Sequence, residues 1–397
     1  MDASSGSSLR DSNLIPNIWT STFSFFLNST VRFFVPVLLP FIISTLDISV
    51  YEGSLLVTAY WIGYTLFQIP GGYLSDKVGT ARISKISFVL LSICFFFIPV
   101  VIRNYYLLAL VQLLLGSVSS VVYVSGMSLV QRASSVSNRP LFIGIFQTGF
   151  FLGSSIGEYI VLRTFDLSFT WSFISISVLL ISASVLNIIF QKEPKKLEAK
   201  KRIVPKGILY VSMIRFSAGF LYLGFLSLFT TFLVYDKISP FSLSYLYDWI
   251  PAVGGIIGSP LGGLLSRKMG TDKAIAAIVP IMGFSVLISV IALLPADWIL
   301  AFSFLTGFFY GLYAGPSMGM IFHVSSEETL GASTGILNFS SQFGGIVSPL
   351  LIGALFSIYG NFRIPFLLIG LVSAVMVIPP LVIFIRIHSQ QNRGISV

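Results

Sequence analysis

Gly71-Gly72-Tyr73-Leu74-Ser75-Asp76-Lys77-Val78-Gly79-Thr80 returns 191 positions later as Gly262-Gly263-Leu264-Leu265-Ser266-Arg267-Lys268-Met269-Gly270-Thr271. The same offset carries Gly63 onto Gly254, Gly116 onto Gly307, Gly144-Ile145 onto Gly335-Ile336, and Gly153 onto Gly344. One offset that serves four separate stretches makes the chain two copies of one half. The halves meet at QKEPKKLEAKKRIVPK, Gln191 to Lys206. Parallel repeats joined in this way are a known transporter layout, in which the halves rock about a central site.

The composition fixes the solvent. The chain has 397 residues, 55% apolar and only 10% charged, with a mean hydropathy of +0.91. A soluble chain carries about a quarter charged residues, so this one belongs in a bilayer. Twelve spans of roughly 20 residues use about 240 positions and leave no room for a large soluble domain. Cys94 stands alone and there are two histidines, His323 and His388, so neither a disulfide framework nor a thiolate or His-rich metal site is expected. No G-x-x-x-x-G-K-[ST] run occurs, which excludes a built-in P-loop ATPase. The chain is therefore read as a non-enzyme, and no cofactor is expected.

Apolar stretches run near 17–43, 52–74, 85–102, 105–130, 140–162 and 168–190, then near 207–235, 241–266, 274–294, 297–324, 331–358 and 362–387. Irregular backbone cannot face lipid, so these are expected to be helices. The expected organisation is a tail over 1–16, a six-helix bundle over 17–190, the basic linker 191–206, a second bundle over 207–387 and a tail over 388–397. Twelve spans put both termini on one side. Of the 24 Lys and Arg residues, eighteen fall on that side, four (Arg103, Arg163, Lys237, Arg363) on the other, and Arg32 and Arg215 inside spans. The positive-inside rule makes the terminal side cytoplasmic. The excess charge of +9 is thus an orientation signal rather than a nucleic-acid footprint.

Gly72-x-x-x-Asp76-Lys77-x-Gly79-x-x-Arg82 resembles the loop signature between the second and third helices of the major facilitator superfamily. The degenerate copy at Gly263, Lys268 and Gly270 sits where that family has its second copy, with Arg267 in place of the acid. The resemblance covers nearly the whole chain. It implies secondary transport by alternating access from two six-helix bundles, as a monomer in the plasma membrane. On physical grounds Gly72 allows close helix approach and Gly79 a tight turn. Asp76 is placed to meet a positive helix N-terminus; the resemblance suggests the start of the eleventh helix near Gly331. The alternative is that Asp76, Lys77 and Arg82 are solvated topology charges. The glycines of the fifth and eleventh spans, Gly144, Gly149, Gly153, Gly157 and Gly335, Gly344, Gly345, Gly353, suit close packing between halves. Glu158 occupies the position whose repeat mate is Pro349, where the family often has proline.

Ionisable groups at bilayer depth are functional candidates by default. Arg32 falls about 15 residues into the first span, roughly 22 Å deep, and Arg215 about eight residues into the seventh, roughly 12 Å deep. Glu158 and Asp248 are expected in the outer third of the fifth and eighth spans. Two arginines with no deep acid make a positive cavity, and guanidinium forks hold carboxylate or phosphate at every relevant pH. An anionic small-molecule substrate follows. Arg32 through Pro36 and Pro40, with Tyr64-x-x-x-Gln68-Ile69-Pro70-Gly71-Gly72, resembles the organic-anion and anion:cation symporter branches of the superfamily. Open alternatives are a salt bridge from Arg32 to Glu158 and snorkelling of Arg215 toward the surface.

Glu158 and Asp248 belong to helices that the family sets against each other, so they suit proton exchange coupled to opening. The competing reading pairs them with Arg163 or Lys237 as an outer gate. Tyr64, Gln68, Tyr123, Gln147, Tyr222, Tyr313, Asn338 and Gln342 complete the candidate lining, each able equally to serve as a helix–helix hydrogen bond. Gln112 stands where proton-coupled exporters of the family often have arginine. The expected function is proton-coupled uptake of a small organic anion; the alternatives are export of amphipathic compounds and a non-transporting receptor or scaffold.

Overall fold

A computed structural model describes residues 14–134, 139–194, 208–269, 273–324, 330–380 and 382–383. The N-terminal tail before 14, linker residues 195–207, Gly270 and the C-terminal tail lie outside the described residues, as do the side chains of Gly263, Lys268 and Gly331.

The described chain is helical, and its helices fall into twelve spans. The first is α1 (Leu14–Val37) with α2 (Leu39–Leu46), the second α3 (Val50–Leu66) with α4 (Gln68–Val78). The third is α5 (Thr80–Phe96) with α6 (Ile98–Val101), and the fourth α7 (Tyr105–Ala133). The fifth runs through α8 (Arg139–Leu152), a π-helical turn at Gly153–Gly157, and α9 (Glu158–Phe165); the sixth is α10 (Phe169–Phe190). The second half follows as α11 (Ile208–Tyr235), α12 (Ile250–Met269), α13 (Lys273–Ile291), α14 (Ala296–Val324), α15 (Leu330–Tyr359) and α16 (Arg363–Met376).

The breaks within spans have local causes. Pro40, Pro70 and Pro99 follow the interruptions at Leu38, Phe67 and Phe97 by two or three residues. Each lacks the N–H that would bond four residues back, and its ring crowds that carbonyl. The first break bends its span by 45°. Side chains cap the helix starts facing away from the termini: Ser49 and Glu52 form a capping box on α3, Asn104 caps α7 and Ser168 caps α10.

The 191-residue repeat is a packing repeat. Gly63 and Gly116 face each other's helices across the α3–α7 contact: a Cβ on Gly63 would stand 2.9 Å from the Ser117 nitrogen, and one on Gly116 3.0 Å from the Tyr64 nitrogen. Their repeat mates Gly254 and Gly307 do the same across α12–α14, against Phe308 N at 2.8 Å and Pro251 C at 2.6 Å. Small residues set a close helix crossing at the same place in each half.

The halves touch mainly through α3 on α15, α1 and α2 on α11, and the fifth span on α12. On the side away from the termini this seam is closed. Gly353 of α15 packs against Ser54 and Tyr51, Gly255 of α12 against Phe151, and Tyr159 and Phe165 meet Tyr245 and Phe241 at 6.2 and 5.2 Å. Toward the termini Gly144 and Gly335 have nothing within 4 Å of a Cβ position.

Several expectations need correction. Asp248 does not lie inside the eighth span. Phe241–Leu246 winds as a short 3₁₀ helix after Pro240, α12 starts only at Ile250, and Asp248 sits in the turn between them. Gly72 is not the tight contact of its loop: its Cβ position has one neighbour, Val124, at an ordinary 3.5 Å, whereas Gly71 meets Val121 at 3.0 Å. Gly79 does make the turn, with φ +122°, a backbone conformation that favours glycine. Asp76 pairs with Arg132 of α7, inside its own bundle; its expected meeting with the start of the eleventh span falls on side chains outside the described residues. Glu193, at the start of the linker, accepts the Thr80 and Ala81 N–H groups at 2.7 and 2.8 Å, capping α5 beside that turn.

Candidate functional site

Arg32 is 3% exposed, in the last third of α1. Its guanidinium carbon stands 4.5 Å from the Tyr64 ring centroid, 5.3 Å from Trp61 and 5.5 Å from Phe150. Trp61 and Tyr64 are three residues apart on α3, so one helix face presents both rings. Among the described residues, Nε and Nη2 of Arg32 have no hydrogen-bond partner. Arg215 of α11, 9% exposed, donates from Nη1 to Ser317 Oγ at 3.2 Å and lies 5.8 Å from the Tyr313 ring; its Nε has no partner among the described residues. It is held inside by α14 and does not snorkel.

A belt of rings joins the two cations. Tyr64 meets Tyr123 at 6.4 Å, Phe150 meets Phe151 at 5.2 Å, Phe151 meets Tyr310 at 6.5 Å and Tyr310 meets Tyr313 at 5.8 Å. Tyr310 stacks on Tyr222 at 3.8 Å. Tyr123 and Tyr310 each lie within electrostatic reach of both arginines. Among the described residues neither guanidinium has a carboxylate at ion-pair distance, so the Arg32–Glu158 bridge is absent. Cation–π contacts supply about 0.5–2 kcal/mol each, and a buried charge still lacks most of its hydration. An anion between the two would supply what is missing.

The polar candidates divide. Gln147 donates to the Tyr123 hydroxyl at 3.2 Å, and Asn338 donates to Gln68 Oε1 at 2.6 Å across the seam between halves. The Tyr222 hydroxyl, Gln68 Nε2 and Gln342 Oε1 are buried without a partner among the described residues.

Glu158 and Asp248 are each 2% exposed and interact through their side chains across the closed end of the seam. The Thr230 hydroxyl donates to Asp248 at 2.6 Å, and Glu158 Oε1 has no hydrogen-bond partner among the described residues. Glu158 follows the π-helical turn, whose extra residue shifts the helix face it presents. Arg163 pairs with Asp166 at 3.1 Å rather than with either acid, and it reaches the other half through the Tyr245 ring at 5.3 Å. Among the described residues Lys237 forms no ion pair with either acid; it sits in a turn at φ +57°.

Sequence reasoning missed Trp61, Phe150, Tyr310, Ser317, Thr230 and Glu193. Tyr310 and Ser317 share one helical face with Tyr313, and Trp61 shares one with Tyr64, and that spacing is the signal that could have found three of them.

The sequence model of the Major Facilitator Superfamily matches residues 21–295 and 250–395. The chain is 24% identical over 367 residues to the hexuronate transporter of Bacillus subtilis (strain 168), covering 83% of this chain and 85% of that protein. It is 24% identical over 371 residues to the nitrite extrusion protein of the same organism, covering 89% and 92%. Its fold is similar to the crystal structure of a bacterial homolog to human lysosomal transporter Spinster in inward-facing and unoccupied conformation. That similarity has a TM-score of 0.73 at 16% identity and covers 94% of this chain and 96% of that one. With its family signature loop, two packed six-helix halves and a match along most of its length, the chain belongs to the Major Facilitator Superfamily of membrane transporters.

Proposed function

We propose that this transporter moves a small organic anion, of the hexuronate type, by alternating access as a proton symporter. It works in the plasma membrane with both termini cytoplasmic. The observation that carries the reading is the pair of buried guanidiniums without carboxylate partners, facing a common belt of tyrosines. A carboxylate on Arg32 makes charge-assisted bonds to its free Nε and Nη2, and hydroxyls of a sugar acid satisfy the Tyr222, Gln68 and Gln342 groups. The closed seam on the outer side, with open space at Gly144 and Gly335, corresponds to an inward-facing state.

Glu158 and Asp248 supply the coupling. Closing the outer seam brings two carboxyl groups together, which two negative charges resist, so closure carries a proton in from outside. On the cytoplasmic side Gly72, Asp76, Lys77, Gly79 and Arg82 act as the gating loop, with Gly263, Lys268 and Gly270 as its copy. The linker over 191–206 joins bundles 17–190 and 207–387. The similarity to a nitrite extrusion protein favours a second reading, the same pocket run outward.

Proteoliposomes loaded at alkaline pH test this with radiolabelled glucuronate. Uptake that rises with an inward proton gradient and collapses with a protonophore is the expected result. Glucuronate flux indifferent to the gradient removes the coupling, and no flux of any carboxylate removes the substrate class.

A further inference from the structure

Trp61 belongs to one half of the molecule and is fastened to the other. Its indole N–H donates to Ser227 Oγ of α11 at 3.3 Å. Its ring lies 3.2 Å from where a Cβ on Gly345 of α15 would stand. It is 1% exposed, and its ring centroid is 5.3 Å from the Arg32 guanidinium carbon. The side chain thus sits between the central cation and the closed outer seam, which continues above it to Ser54, Tyr51 and Gly353.

We infer that Trp61 is the outer gate of the pocket and the residue through which anion occupancy of Arg32 is transmitted to the seam. This rests on the reading of Arg32 as an anion site. The reasoning is thermodynamic. A path from outside to Arg32 opens only when the indole leaves Ser227 and Gly345. In the closed seam the guanidinium holds the ring by a cation–π contact, which is strong only while the cation is desolvated and unpaired. An anion that pairs with Arg32 neutralises that attraction, so the closed position of Trp61 loses stability when the site fills. Differential interaction with the two positions of one side chain is what coupling requires. Gly345 fits this role: any larger residue would press on the indole, and the ring needs that space to seat.

The test places a reporter on the seam away from the pocket. In a Cys94→Ser background, Ser54→Cys is labelled in nanodiscs by a membrane-impermeant maleimide. Ser54 is fully buried against Gly353, so labelling reads outer opening. Ser227→Ala, which loses one neutral buried hydrogen bond, should raise the labelling rate about fivefold, and Trp61→Phe at least as much. Glucuronate should raise labelling in the parent but not in the Trp61→Phe protein. If both variants label at the parental rate while Arg32→Gln still abolishes glucuronate binding, the gate is overturned and the pocket stands. If the parent binds no glucuronate and labelling is raised in both variants regardless of ligand, the pocket reading fails, and the transmission role fails with it.

Discussion

Gly116→Ala is a one-carbon change whose consequence can be worked from the packing. A Cβ there would overlap the Tyr60 carbonyl oxygen outright, and would stand 2.8 Å from the Tyr60 carbonyl carbon and 3.0 Å from the Tyr64 nitrogen. Carbon contacts relax near 3.5–4.0 Å, so α3 and α7 must part by about 0.7 Å or more. The opposing atoms are backbone, and no rotamer change relieves them. Such overpacking costs about 1–3 kcal/mol. It also carries Tyr64 away from Arg32, which it faces at 4.5 Å, so glucuronate affinity should fall with stability. Gly144→Ala is the control, since nothing lies within 4 Å of its Cβ position and alanine gains up to about 1 kcal/mol of helix propensity over glycine. Cys94, the single cysteine, half-buried on α5, reports unfolding through a thiol-reactive fluorogenic dye during heating. The expected order is Gly116→Ala well below wild type and Gly144→Ala at or above it. A Gly116→Ala protein that melts with wild type would refute the packing argument.

Glu158→Gln should abolish uptake driven by a proton gradient while leaving anion exchange at equal pH intact; parallel loss of both would make Glu158 structural. Asp236, in the turn after α11, accepts the Phe362 N–H at 3.1 Å and faces Arg363 at 4.0 Å. Burial raises its carboxyl above the ordinary range, and those two contacts only partly offset it. A raised carboxylate contributes most below about pH 4 and loses that contribution as pH rises through the folded value. Asp236→Asn should therefore be at least as stable as wild type at pH 7, with the advantage shrinking toward pH 4 in melting curves; a clear loss at pH 7 contradicts this. Gly79→Ala forces an L side chain into φ +122°, with the Glu193 carboxylate 3.1 Å from its Cβ, and should cost about 1–2 kcal/mol, measured by the same dye.

The fold was legible because repeat, hydropathy and charge asymmetry are properties of long stretches. The offset that pairs Gly63 with Gly254 and Gly116 with Gly307 proved to mark a close helix crossing in each half. Arg32, Arg215 and Glu158 were legible as charges where lipid tolerates none. Their partners were not. Whether Arg32 meets Glu158 or Tyr64 depends on helix rotation, which hydropathy does not encode, and α3 and α11 are apolar nearly all round. Asp248 was misplaced because Phe241, Leu243 and Leu246 extend the apolar run through what folds as a 3₁₀ turn. Trp61 and Tyr310 were passed over because aromatic residues in an apolar helix look like any other core.

Equilibrium binding of glucuronate to wild type, Arg32→Gln and Arg215→Gln is the most direct test of the positive pocket. Two charge-assisted bonds to Arg32, at about 1.5–3 kcal/mol each, predict at least a hundredfold loss for Arg32→Gln, with a smaller loss for Arg215→Gln. Unchanged affinity in both variants, in protein that still transports the anion, would contradict the account.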